Sequence, residues 1–430
     1  MEKKFEDDDE IEIDLLELFY ALRHRWWAIL LALVIGAGAA GLMAAVSAAD
    51  AGAAVTLLET MEKPGKKISI TGNGRCNLTN RDIQDANFYF SDAPKTADGI
   101  LKAFQAKDTL HFFENAGLLM KEREGGLIYP YSDQAQSVVN ALLQEVRRRK
   151  IKLKCQERVR SNEKKKARFY IKTEGWHYEA DRVILTCGGK AAPATGSDGN
   201  GYALAKTFGH TVIEPLPALV PLTAKLPFGS LLDGVRSRAK ITLFIDGKVA
   251  GEESGELQWT GYGISGIAVF QLSSRAVRAL QNKKKVRAEI DLLPDFSEKE
   301  LLSRIQKREG SYEEVLGGFY HAKVLKALLK EEKASPGEKA LPDKAASIIK
   351  KSRQLSLTIT GSKTFEQAQV TTGGIPLKEL DEHTLESKKV KGLYLAGELI
   401  NVDGPCGGYN LQWAWASGHI AGVSAGKGDL

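Results

Sequence analysis

Two glycines separated by one residue, and a third three positions on, close an apolar run in this chain: Val34-Ile35-Gly36-Ala37-Gly38-Ala39-Ala40-Gly41. A second apolar stretch, residues 53–58, ends in Glu59, eighteen residues after Gly41. The spacing suits a strand, a tight turn, a helix, a second strand and an acid, wrapped around the diphosphate of a dinucleotide. Gly36 allows the turn, Gly38 lets the backbone approach a pyrophosphate, and Gly41 lets the helix pack closely on the strands. Ala40 lies in the first turn of that helix, whose unpaired N–H groups and positive dipole end face the phosphates. Glu59 accepts a hydrogen bond from an adenosine ribose hydroxyl. The fingerprint alone does not separate FAD from NAD.

Further loops are dense in small and polar residues. Residues 65–80 carry Lys67, Gly74, Arg75, Cys76 and Asn77. Glycines there permit close backbone approach, Arg75 offers a planar donor fork to a phosphate or a flavin carbonyl, and Asn77 both donates and accepts. Residues 397–412 follow an apolar strand and open the last helix. Gly397-Glu398 at a strand end suits a hydrogen bond to a ribityl hydroxyl. The helix start near Gly408 and Asn410, with Leu411 behind it, aims N–H groups at the flavin N1–C2=O edge and stabilises the anion formed on reduction. Asp403, Gly404 and Cys406 share that loop, and Gly188 turns the chain after another strand. Residues 259–266 read either as a substrate-facing lid or as a plain hairpin turn.

These groups need elements to position them. Residues 29–60 read as a β-α-β unit, with 28–35 a buried parallel strand and 39–49 an Ala-rich helix. Residues 63–80 read as a loop, 96–116 and 137–150 as helices, 152–178 as antiparallel strands turning at 162–165, and 181–186 as a buried strand. From about residue 214 the character changes. Pro215, Pro217 and Pro221 mark an extended stretch, 240–250 a hairpin turning at Asp246-Gly247, 286–292 a strand, and 297–351 a charged helical region. Residues 370–374, 392–396 and 410–425 return to strand, strand and helix. A cofactor domain interrupted by an insert, and completed by the C-terminal part, follows from this order.

The composition, 43% hydrophobic and 27% charged over 430 residues, is that of a globular chain with room for two or three domains. The net charge of +6 is thinly spread in short lysine runs, which reads as solvated faces and not as a nucleic-acid surface. Four cysteines show neither C-x-x-C nor zinc spacing, and seven histidines form no ligand pair, so no metal is expected. Such sparing cysteine usage points to a reducing cytosol, and the expected location is cytoplasmic. Cys76 and Cys406 on cofactor loops leave disulfide redox chemistry open, with structural packing the alternative.

A competing reading concerns residues 26–49, which hold no charged residue and are long enough to cross a bilayer. The preceding residues 11–22 resemble the N-terminal cytoplasmic helix of polysaccharide chain-length determinant proteins. On that reading the chain is a membrane-tethered, non-catalytic protein. On the other, residues 1–28 are an appended extension, acidic and then amphipathic, either disordered or docked on a surface. They are then the only route to membrane contact.

Residues 71–80, 261–266, 371–374 and 403–412 together resemble FAD-binding oxidoreductases of the aminoacetone-oxidase type, to which the bile-acid-inducible N-type reductases belong. The likeness runs from about Leu33 to Gly426. It implies an α/β fold: a glutathione-reductase-like, FAD-binding Rossmann domain with an inserted β-barrel and helical domain. The expected division is an extension at 1–28, the FAD domain at 29–212 and 361–430, and an insert at 213–360, with its barrel at 213–295 and its helices at 296–355. The resemblance implies FAD held by Gly36, Gly38, Gly41, Glu59, Arg75, Cys76, Asn77, Gly397, Asp403, Gly408 and Asn410. Val159 resembles the family's strand residue whose backbone meets adenine. Thr260-Gly261 stands where many relatives carry Thr-His, so no histidine there has chemistry assigned to it, and no catalytic residue is named. The expected reaction is hydride transfer at flavin N5 to or from a small organic substrate. No second fingerprint follows a strand, so NAD(P)H, the expected electron donor, must enter the substrate cavity or bind in the insert. An oxygen-using amine oxidase is the alternative.

Overall fold

The structure, a computed structural model, describes residues 30–83, 88–226 and 228–427. Five short parallel strands form its central sheet, in the order Leu393–Leu395, Arg182–Leu185, Leu31–Ile35, Ala54–Leu58, Lys152–Lys154. The inner strands are mostly apolar because the first and last helices and the antiparallel strands of residues 159–180 pack against them. The first strand starts at Leu31, and the expected residues 28 and 29 lie outside the described residues. The chain then turns at Gly36, whose φ is +105°; a Cβ there would sit 2.6 Å from the Thr186 carbonyl oxygen. The first helix, Ala39–Asp50, leads back to the second strand.

That turn overturns the bilayer reading for the described part of residues 26–49, because a strand and a helix replace one unbroken rod. No helix among the described residues is long and apolar enough to cross a membrane. The Ala-rich composition has another cause. The last helix, Tyr409–Gly426, lies on the first helix with three glycines four residues apart. A Cβ on Gly418, Gly422 or Gly426 would stand 2.4, 2.4 or 2.5 Å from the carbonyl oxygens of Ala40, Ala44 and Ala48. Only small residues on both partners allow this backbone-to-backbone approach. Trp413 and Trp415 anchor the same helix by donating their indole N–H groups to the carbonyls of Gly397 and Leu78.

Several local expectations change. Residues 96–116 are two helices, Pro94–Ala103 and Ala106–Asn115, because Gln105 and Asp108 form a reciprocal cap that starts a new helix. The expected loop at 63–80 contains a helical stretch, Lys66–Gly74, kinked at Thr71, Gly72 and Asn73. Residues 152–154 join the parallel sheet, and the hairpin beyond them turns at Lys166, four residues from where the turn was expected to begin. Residues 259–266 are a hairpin turn between barrel strands, closed where Gly263 lies against the Leu222 carbonyl.

The insert holds a closed six-strand barrel: Leu222–Lys225, Gly263–Ser265, Lys248–Thr260, Arg236–Ile245, Val286–Asp291 and Leu355–Ser362. Asp246 and Gly247, both at positive φ, make its longest hairpin turn. The sixth strand follows the helical segment of residues 298–352, so the barrel is not confined to residues 213–295. Barrel and helices share one apolar core.

A buried clamp ties the two parts of the sheet domain together. Ser387 Oγ accepts from the Lys389 and Val390 amides and donates to His210 Nε2 at 2.7 Å, leaving Nδ1–H to donate to Glu379 at 2.7 Å. This Ser–His–Glu arrangement is no nucleophile: its hydroxyl is buried and both lone pairs are engaged. Burial pushes the His210 imidazole below its ordinary value. Burial raises the Glu379 carboxyl, but hydrogen bonds from Thr211, Lys389 and His210 outweigh it and hold the group at about 2.

Two predictions follow from these contacts. Gly422→Val should cost about 1–3 kcal/mol of stability through overpacking, read as a lower urea midpoint, while Gly99→Ala, in a helix with open space at its Cβ, should leave the midpoint unchanged or raised. Both clamp groups titrate lower in the fold than in the unfolded chain, so the unfolded state takes up protons first as pH falls. Stability should therefore decline as pH drops below about 6.5, the unperturbed histidine value. Urea midpoints across this range should fall less steeply for His210→Gln; an identical slope rules the clamp out as the source.

Candidate cofactor and active site

A cavity with about 1200 Å³ of empty volume opens where the first strand turns into the first helix. Gly36, Gly38, Ala40, Glu59, Lys67, Val159, Gly188, Gly397, Glu398, Asn410 and Leu411 all line it. Gly38 is the N-cap of the first helix and no side chain caps it. A Cβ on Gly38 would meet nothing within 4 Å, so the first-turn amides face open cavity. Glu59 is buried; its oxygens accept from the Ala37 and Met61 amides at 2.7 and 2.8 Å. Burial raises this carboxyl, and the Met61 and Ala37 amides oppose the rise. Two of the four lone-pair sites of a carboxylate are thereby used, which leaves capacity for hydroxyl donors.

The far wall comes from the C-terminal part. Lys67 Nζ meets Glu398 at 2.5 Å, and the other Glu398 oxygen accepts from the Thr371 amide at 2.9 Å. Lys67 and Glu398 thus lock the loop after the second strand to the loop before the last helix. Asn200 donates to the Val159 carbonyl at 3.2 Å. Ser197 was not foreseen from the sequence. Its hydroxyl lines the cavity, is buried, and has no hydrogen-bond partner among the described residues. The only signal for it was the small, polar run at residues 195–200 beside Gly188, which is at φ +73°. An open glycine cradle, an uncapped helix start, a buried acid and an orphaned hydroxyl together fit a dinucleotide.

Eight expected residues do not line this cavity. Gly41 acts in packing: a Cβ there would fall 1.7 Å from the Gly36 carbonyl oxygen. Gly74, Arg75, Cys76 and Asn77 sit beyond the kink after Thr71, with Arg75 exposed and Cys76 buried at φ +59°. Gly408 is an N-cap at φ +95° pressed on the Thr79 backbone. Asp403 and Gly404 line a different cavity, on the insert side. Asp403 there accepts from Arg278 at 2.8 Å and from Thr372 at 2.5 Å; burial pushes its carboxyl up to about 6, against the pull of Arg278. All four cysteines are free, and burial pushes the Cys76 and Cys406 thiols up to about 12, which removes the thiolate that disulfide exchange needs. Among the described residues no group of three His, Cys, Asp or Glu side chains could hold a metal.

Gly38→Leu separates fold from site. Its φ of −83° suits any residue and its Cβ has room, so stability should hold while the longer side chain fills the cradle. Dinucleotide affinity should fall at least about tenfold. Equal flavin content in variant and parent after gel filtration contradicts the assignment of the cradle.

A profile of the HI0933-like protein Rossmann domain family matches residues 31–424. The 3-dehydro-bile acid delta(4,6)-reductase of Clostridium scindens is 42% identical over 409 residues, which span 92% of this chain and 98% of that protein. The ribosomal RNA dihydrouridine synthase of Haemophilus influenzae is 32% identical over 412 residues, 92% of this chain and 98% of that one. The ribosomal RNA dihydrouridine synthase of Escherichia coli is 31% identical over 398 residues, 90% of this chain and 95% of that one. A match across nearly the whole described chain, joined to a glycine turn and a parallel sheet that meet it, places the protein in one group: it belongs to the HI0933-like family of FAD-binding Rossmann oxidoreductases.

Proposed function

We propose that this chain is an FAD-dependent reductase that saturates a carbon–carbon double bond next to a carbonyl in a small organic molecule, with NAD(P)H as the electron donor. The uncapped helix start over the Gly38 cradle, with Glu59 behind it, is the observation that carries the cofactor part. The names of the relatives support the reaction: a delta(4,6)-reductase and a dihydrouridine synthase both add two hydrogens across a double bond conjugated to a carbonyl. The greater identity to the bile acid reductase supports a small molecule over RNA. The lack of thiol pairing supports a reducing, cytoplasmic setting.

When bound, FAD supplies hydride acceptance and donation at one nitrogen. The chain's own residues bind and orient it. Gly36 and Gly38 would let the backbone approach the diphosphate, and Glu59 would accept from the adenosine ribose hydroxyls. Ser197 and Val159, which line the same cavity, would meet the adenosine, and Lys67 and Glu398 hold another part of the wall. The start of the last helix, at Asn410 and Leu411, lines the cavity and would offer backbone N–H groups and a positive dipole end to the flavin ring. Over one turnover NAD(P)H and one proton are consumed, NAD(P)⁺ leaves, and the double bond becomes a single bond with two new C–H bonds.

Purified protein should be yellow, should bleach under argon with NADH or NADPH, and should regain colour on adding a conjugated enone. Bleaching only by an amine, with hydrogen peroxide released in air, replaces this reading with an amine oxidase. Colourless protein that takes up no FAD overturns it.

A further inference from the structure

The insert helix Ile267–Gln281 meets the sheet domain through one stripe of polar side chains, Gln271, Ser274 and Arg278, spaced as one side of a helix. Each of them reaches residues 403–406. Gln271 accepts from the Cys406 amide at 2.7 Å, and Ser274 donates to the Asp403 carboxylate. Arg278 donates to Asp403 at 2.8 Å and to the Thr372 hydroxyl, and its guanidinium carbon lies 3.2 Å from the centre of the Phe90 ring. Strand Phe90–Ser91 pairs with Val402–Asp403, so ring and carboxylate stand on one two-stranded ribbon of the sheet domain.

The sheet domain and the insert each bury a large apolar core of their own. Among the described residues a third, small cluster joins Ala218, Leu219 and Val370, with Phe270 and Cys406 packed against it. It sits where the chain crosses between the two parts, on the paired strands Ile213–Ala218 and Val370–Gly374. Leu219 is at φ +48°. Ala192, whose amide donates to the Phe365 carbonyl beside this crossing, is at φ +55°. Left-handed backbone on residues that carry a side chain stores strain at the crossing.

The polar contact is held at a cost. Burial pushes the Asp403 carboxyl up to about 6 and the Arg278 guanidinium below its ordinary value, because both charges have lost water. The Arg278 Nε is buried and has no hydrogen-bond partner among the described residues. Access to water relieves all three penalties. A small apolar cluster, a strained crossing and a desolvated ion pair describe a junction that separates far more easily than either core unfolds.

We propose that the insert is a hinged cap: it pivots on the paired strands Ile213–Ala218 and Val370–Gly374, and Gln271, Ser274 and Arg278 are the latch that shuts it on residues 403–406. Gln369 and Val370, at the pivot, also line the cofactor cavity. A second cavity, of about 1310 Å³, lies between the helix and the ribbon. Opening the latch widens this second cavity, moves the edge of the first, and admits a small molecule while both cores stay folded. The motion is independent of the reaction proposed above.

The test is hydrogen exchange on the full chain as purified, resolved to single amides. The Cys406 amide is held across the junction by Gln271, whereas Asn410 holds the Gly404 amide inside the sheet domain and Ser273 holds the Val220 amide on the insert side. In the parent, Cys406 should exchange at least about tenfold faster than the amides of the core strands Leu31–Ile35 and Arg236–Ile245. Arg278→Gln should speed Cys406 at least about tenfold further, leave Gly404 and Val220 unchanged, and raise the radius of gyration measured by X-ray scattering. Where Arg278→Gln does not fold, the milder Ser274→Ala should move Cys406 in the same direction. Cys406 exchanging in step with the core strands of the parent shows a junction that opens only on global unfolding, and overturns the cap. Gly404 quickening together with Cys406 assigns the effect to the loop, and faster exchange at an unchanged radius assigns it to a side chain letting go; either result overturns the cap as well.

Discussion

Backbone contact between the first and last helices fixes how the two helix starts meet at the site. Gly418, Gly422 and Gly426 lie over the carbonyls of Ala40, Ala44 and Ala48 with no side chain between them. The two helix starts therefore meet at one cavity: Ala39 and Ala40 on one side, Asn410, Leu411 and Trp413 on the other. Gly397 fits the same constraint, since a Cβ there would fall 2.7 Å from Ala40 Cβ. A dipole-based site needs its helix ends aimed to within a fraction of an ångström, and close-packed backbones supply that rigidity better than flexible side chains do.

The strand Val370–Gly374 carries this arrangement to the insert. Its side chains alternate, as strand geometry requires. Thr371 accepts from the Lys190 and Ala191 amides on the cofactor side. Thr372 donates to Asp403, which Arg278 also reaches from the insert. A buried ion pair of this kind contributes little net stability because both charges lose water. Removing one partner is far more damaging than replacing both, which makes the pair a means of fixing where the insert helix stands. One short strand thus couples the cofactor wall to the second cavity.

Residues at the two ends of the chain differ in how readable they were. Gly36, Gly38, Gly41 and Glu59 announce their roles by spacing, because a turn, a close approach and a strand end are local demands on the backbone. Thr371-Thr372-Gly373-Gly374 was legible as a strand, but the two directions its threonines face were not. Arg75 was expected at the cofactor from its donor chemistry, and Asp403 from the family resemblance. A kink at Thr71 places Arg75 outside the cavity lining, and a salt bridge across the insert holds Asp403 on the other side of its loop. Ser197 carries no periodicity and no motif, so only the small, polar run around it marked it.

By itself the sequence determined the strand–turn–helix of the fingerprint, the parallel strands beside it, the barrel hairpin at Asp246-Gly247 and the close packing at Gly41. Each of these depends on φ, on hydrophobic period or on spacing within a few tens of residues. Tertiary structure alone decided that the alanines of residues 39–49 face glycines nearly four hundred positions away rather than lipid. It alone decided that the barrel closes with a strand beyond the helices, and that Lys67 and Glu398 meet. Such pairings depend on which distant surfaces come together, and apolar composition is the same whether its partner is a lipid tail or another helix.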